Sequence, residues 1–142
     1  MPDQHAPFAV VVDDEPLIRL DACDILDRAG FRCLDAPNAE EAIDILELHG
    51  GQVALLFSDV DLGSGMNGFA LATIASQRWP DIGILVASGA SVPADGQLPE
   101  GAVFIRKPFS AEVVHDRVAE ILPDGKKPAP LRLEQSDARP AR

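Results

Sequence analysis

Five short apolar runs, "FAVVV" (Phe8–Val12), "FRCLDA" (Phe31–Ala36), "VALLF" (Val53–Phe57), "IGILVAS" (Ile82–Ser88) and "AVFIR" (Ala102–Arg106), constrain this chain more than any other feature. Most are too continuously apolar for strands that face water on one side, which alternate in polarity; they read as strands covered on both faces. Helical patterns separate them. Ile18, Ala22, Ile25, Leu26 and Ala29 recur at helical spacing and stop at Gly30. "NAEEAIDILELHGG" follows with Asn38 as its N-cap, then a helix from about Asn67 to Arg78, and a last one from Ser110 to Leu122. Strands alternating with helices make an α/β protein: a doubly wound, five-stranded parallel sheet with right-handed crossovers. In such folds ligands sit at the carboxyl ends of the strands, near the point where strand order reverses.

At 142 residues there is material for one core. The net charge of -11 opposes direct nucleic-acid binding, which relies on Lys and Arg neutralising phosphates, and favours a cation or a basic partner. No apolar run approaches the roughly 20 residues needed to cross a bilayer, and the N-terminus lacks the basic region of a signal peptide. These features imply a cytoplasmic protein without a membrane partner. Cys23 and Cys33 have neither CxxC spacing nor metal-ligand company, and read as two buried, inert thiols. Residues 1–7 form an N-terminal extension. Residues 123–142, "PDGKKPAPLRLEQSDARPAR", carry four prolines and five Lys/Arg against three Asp/Glu, and read as a disordered basic tail.

The strand ends hold the chemistry. Asp13, Asp14 and Glu15 follow the first strand, Asp59 the third, Ser88 the fourth, and Lys107 with Pro108 the fifth. A parallel sheet brings all of them to one edge. Clustered carboxylates repel one another, and a hard divalent cation such as Mg²⁺ relieves that repulsion. A carboxylate beside such a cation can attack phosphorus to give an aspartyl phosphate. The metal and the Lys107 ammonium would neutralise the phosphoryl oxygens, and the Ser88 hydroxyl would donate to one of them. Taken singly, Asp13 and Asp14 could merely cap a helix and Lys107 could be a surface ion-pair partner. Their convergence on one edge argues against coincidence.

The pieces "VVVDDEPLIR", "LLFSDVDL" followed by "MNGF", "ILVASG" and "IRKPF", in that order, resemble the receiver domain of two-component response regulators over about Phe8 to Leu122. The resemblance implies the flavodoxin-like strand order 2-1-3-4-5. It makes Asp59 the phosphoacceptor and Asp14 a direct Mg²⁺ ligand, with Asp13 acting through water. Asp61 would give its backbone carbonyl to the metal with its side chain pointing away, and Ser88 and Lys107 would contact the phosphoryl group. Ser88 and Phe104 would form the switch. The implied role is signalling rather than enzymatic turnover: phosphate is accepted from a histidine kinase or histidine phosphotransfer protein, lost by slow self-catalysed hydrolysis, and read by a downstream protein target. With no DNA-binding or catalytic pattern after Leu122, the chain reads as a stand-alone receiver.

Three departures from the family pattern stand out. Phe104 lacks the hydroxyl of a tyrosine, so any switching there works through packing. "GASVPADGQLPEG" occupies the place of the family's fourth helix, and its glycines and prolines leave room for at most one helical turn. Asp61 adds a carboxylate near the path of hydrolytic water, where it would tune phosphoryl lifetime.

Two other readings compete. "FSDVDLG" has the DxD spacing of haloacid-dehalogenase-like phosphatases, with Asp59 as nucleophile and Asp61 as acid/base. There, however, the motif follows the first strand, and here it follows the third. A receiver acting as a phosphorylation-independent binding module is the other alternative.

Overall fold

In the computed structural model, which describes residues 5–63 and 65–128, the apolar runs pair into one sheet. Its strands are β1 (Phe8–Val12), β2 (Arg32–Ala36), β3 (Val53–Asp59), β4 (Gly83–Ser88) and β5 (Val103–Arg106), in the order β2-β1-β3-β4-β5. All neighbouring strands are parallel. This is the doubly wound order the resemblance implied. Strand β3 is central and buried at every residue, which is why its run shows no alternation.

Helices α1 (Pro16–Arg28), α2 (Ala39–His49), α3 (Gly68–Arg78) and α4 (Ala111–Ile121) cover the two faces. All four start on a side-chain cap: Asn38 accepts from the Glu41 amide at 2.8 Å, Asn67 from Ala70 at 2.9 Å, Ser110 from Val113 at 3.1 Å and, more weakly, Glu15 from Leu17 at 3.5 Å. In α1 the capping residue is Glu15, followed by Pro16 at a position where a missing N–H costs nothing. The helix-capping role weighed for Asp13 and Asp14 therefore falls to their neighbour. On one face Leu26, Phe31, Leu55, Leu85, Val114 and Val118 form a core under α1 and α4. On the other, Val10, Leu46, Leu56, Leu71 and Val86 pack under α2 and α3.

No helix joins β4 to β5. Residues 89–102 form only turns, with Gly96 and Gly101 at φ of 82° and 87° in the left-handed region that glycine tolerates. The fourth helix expected to be short or absent is absent. Leu98 and Ala102 of this connection, with Phe104 of β5, pack half-buried against the second core in its place.

At the chain ends the structure extends beyond the boundaries set by composition. Ala6 is buried and its carbonyl accepts from Arg32 Nε at 2.7 Å, so part of the N-terminal extension is tied to β2. Residues 123–128, assigned from sequence to a disordered tail, carry a 3-10 turn at Asp124–Lys126. Lys126 Nζ donates to the Asp81 carbonyl at 3.0 Å, and Lys127 is buried while ion-paired with Asp124 at 2.9 Å. Composition missed this because the anchors are two lysines, residues that usually signal solvent. The rest of the proposed tail, 129–142, lies outside the described residues.

Candidate functional site

Asp13 follows β1, Asp59 ends β3 and Lys107 follows β5, and the sheet sets them side by side. Lys107 Nζ lies 3.0 Å from Asp13 Oδ2 and 3.1 Å from Asp59 Oδ1, bridging the two carboxylates. Asp13 and Asp59 are 4% and 7% exposed, whereas Asp14 faces solvent. The three aspartates each offer a carboxylate oxygen within 4.8 Å of the others. This set of oxygens, open to solvent through Asp14, suits a hard divalent cation.

Burial pushes the Asp59 carboxyl above its ordinary value. Lys107 opposes that shift, Asp13 adds to it, and the net direction is upward. Burial also works against the charge on Lys107, but its hydrogen bonds to Asp13 and Asp59 outweigh this and hold the ammonium above its ordinary value. One cation is thus shared by two buried carboxylates, and Asp59 is left under-compensated.

Asp13 is fixed at every polar atom. Its amide donates to Ala36 O at 3.2 Å, its carbonyl accepts from Arg19 Nη1 at 2.8 Å, and its Oδ1 accepts from the Glu15 amide at 2.9 Å. Arg19 also donates through Nε to Asp35 Oδ2 at 2.8 Å, joining α1 to the ends of β1 and β2. The sequence reading gave Arg19 no role. Its signal is a basic residue one turn into the helix that follows the acidic run.

Gly68 is the first residue of α3, and close approach explains why a glycine stands there. A Cβ there would lie 2.1 Å from the Asp59 carbonyl oxygen, and the Gly68 amide donates to Val60 O at 2.8 Å. Only glycine lets α3 start directly against the backbone of Asp59.

Ser88 is held by its neighbours, and the Asp61 side chain is arranged differently from expectation. Ser88 Oγ accepts from the amides of Ala90 and Ser91 at 3.2 and 2.9 Å, pinning the start of the β4–β5 connection. It donates to Asp61 Oδ2 over a long 3.4 Å. The Asp61 side chain was expected to point away from the site; instead it reaches the end of β4. Strand register explains this: Asp59 pairs with Ala87, so the chain leaving β3 passes beside Ser88. Phe104 is half-buried on the face of α2 and α3.

The family description "response regulator receiver domain" matches residues 9–119. The chain belongs to this family. It is therefore a receiver domain of the two-component type, in a family of signalling phosphoacceptors. It is 32% identical over 116 residues to the sensor kinase CckA of Brucella abortus (strain 2308), which covers 80% of this chain but only 12% of that kinase. Among solved structures, the receiver domain of the hybrid histidine kinase CckA matches with a TM-score of 0.69 and 28% identity, covering 82% of this chain and 99% of that one. A response regulator receiver protein from Sinorhizobium medicae WSM419 matches with a TM-score of 0.75 over 84% of this chain and 96% of that one. At 23% identity this last likeness concerns the fold alone. Membership of the receiver family sets aside the dehalogenase-like reading of the DxD. Among the described residues, no helix is long and apolar enough to cross a membrane.

Proposed function

We propose that this receiver is a phosphoacceptor switch phosphorylated on Asp59. The observation that carries the reading is the buried Asp59 carboxylate, bridged through Lys107 to Asp13, at the carboxyl edge of the sheet. Asp14, Asp59 and the Asp61 backbone carbonyl would hold Mg²⁺, with Asp13 acting through water, and the bound ion would supply charge neutralisation for the phosphoryl oxygens. An Asp59 carboxylate oxygen attacks phosphorus of a phosphohistidine on a kinase or phosphotransfer partner. The P–N bond breaks, and the histidine ring leaves with its electron pair. Lys107, already within hydrogen-bond distance of Asp59, follows the charge onto the new phosphoryl group and keeps its bond to Asp13.

Ser88 is the relay to the surface. Once its hydroxyl donates to a phosphoryl oxygen it is drawn from Asp61 and from the amides of Ala90 and Ser91, which releases the start of the β4–β5 connection. Phe104 and Leu98 then repack beside it, and a downstream protein reads the altered surface. Asp61, within reach of Ser88, tunes how long the phosphoryl group lasts. The acidic surface fits protein rather than nucleic-acid contacts, and the setting proposed is the cytoplasm.

Incubation with a small phosphodonor and Mg²⁺, followed by intact mass, tests the assignment. Wild type should gain one phosphoryl group and Asp59→Asn none. A gain that persists in the variant would refute Asp59 as acceptor, and no gain in wild type would support the phosphorylation-independent binding module.

A further inference from the structure

The two cysteines are not the fully buried thiols that sequence suggested. Both are half-buried, and both pack against the core under α1 and α4. The Arg19–Asp35 ion pair at 2.8 Å fixes how α1 lies along β2. From that contact, four residues along the helix advance about 6 Å, and two residues back along the strand cover roughly the same distance. The next pair in this register is Cys23 and Cys33. Both side chains pack against the same core cluster, on the side where α1 lies over β2. Further along, the Phe31 amide donates to Leu26 O at 3.1 Å, so helix and strand remain in contact beyond the pair.

We propose that Cys23 and Cys33 form a thiol-disulfide modification site, oxidised by a hydroperoxide to an intrachain disulfide that staples α1 to the edge strand β2. The Cys23 thiolate attacks the distal oxygen of the hydroperoxide; the O–O bond breaks, and the leaving oxygen departs as water or alcohol after protonation, giving a sulfenic acid. Cys33, whose thiol Cys23 and burial hold above its ordinary value, gives up its proton to the departing oxygen as its sulfur attacks the Cys23 sulfur. The S–O bond breaks, water leaves, and the S–S bond forms. In sum two thiols lose two electrons and two protons, and the peroxide is reduced. Cys23 is the better attacking group because the neighbouring Cys33 thiol favours its thiolate, against the opposing effects of burial and of Asp35 and Asp27; Arg19 assists. The staple would close around the Arg19–Asp35 contact, which also holds the Asp13 carbonyl, and so lies behind the acidic site.

The test uses the folded full chain, treated with hydrogen peroxide, quenched, alkylated under denaturing conditions and weighed intact without reductant. Wild type should show no covalent link between chains, lose about 2 Da for the two departing hydrogens, resist alkylation at both cysteines and recover both on reduction. Cys33→Ser, lacking the resolving thiol, should instead add oxygen at Cys23. Disulfide-linked dimers, progressive oxygen addition at either cysteine in wild type, or two thiols that survive peroxide unchanged would each overturn the proposal. The wild-type measurement stands even if the variant folds poorly. It is also independent of phosphorylation at Asp59.

Discussion

The two faces of this sheet are built from similar strands and covered differently. Under α1 and α4, the core reaches from Leu26 and Phe31 across Leu55 and Leu85 to Val114 and Val118, helix-covered throughout. The face of α2 and α3 is equally closed over Val10, Leu56 and Leu71, but beside β4 and β5 its cover becomes a stretch of turns carrying Leu98. A helix satisfies its own backbone and so brings a whole apolar stripe to a sheet. A Gly/Pro-rich connection brings single side chains. The first arrangement makes a scaffold. The second leaves a region whose conformation a few hydrogen bonds at Ser88 can govern.

The largest effect that would sharpen this comparison is truncation beneath a helix against truncation in the connection. Leu71→Ala, at a fully buried position under α3, should cost about 2–5 kcal/mol. Leu98→Ala, in the half-buried cover, should cost about 1 kcal/mol or less. Urea midpoints at constant m-value measure both, and equal losses would mean the turns pack as firmly as a helix.

Next in size is Gly68→Ala, which forces α3 away from the Asp59 backbone. Overpacking of this kind costs about 1–3 kcal/mol. Phosphoryl acceptance should fall more than stability alone explains, so acceptance is to be measured in conditions where the variant is fully folded.

Smaller again is the pH dependence arising where the two faces meet the acidic edge. The raised Asp59 value means that the folded protein still holds a proton that the unfolded chain has given up. Stability should therefore fall as pH rises from about 4, the ordinary carboxyl value, through the raised one, and Asp59→Asn should flatten that limb. Lys107 acts at the alkaline end. Its contribution is fully present below the ordinary lysine value and is lost as pH rises through its raised one. Unfolding midpoints across pH, without added metal, test both limbs.

The most local difference should appear in hydrogen exchange without measurable loss of global stability. Amides from 92 to 98 should exchange orders of magnitude faster than those of β4, which lie in the sheet. Slow exchange across that stretch would break the contrast between the two faces.

Much of this was legible in the chain, for identifiable reasons. The continuous apolar run Val53–Phe57 announces a central strand because only a strand covered on both faces dispenses with polar alternation. Asn38, Asn67 and Ser110 mark helix starts because their short side chains reach amides three residues on. The missing helix between β4 and β5 follows from the backbone limits of Gly and Pro. Arg19, Gly68 and the ordered residues 123–128 were harder to read. Each depends on a partner distant in sequence or on the absence of a side chain, and local pattern carries neither.

By itself, then, the sequence determined the alternation of strands and helices, the edge on which the carboxylates gather, and the stretch that cannot be helical. These depend on periodicity and on intrinsic backbone preferences, which act over a few residues. Tertiary structure alone decided that Lys107 is shared between Asp13 and Asp59, that Asp61 turns toward Ser88, that α3 begins against Asp59, and that Cys23 and Cys33 pack against the same core. Those outcomes depend on ångström-scale register between elements remote along the chain, which packing fixes only once the whole core has closed.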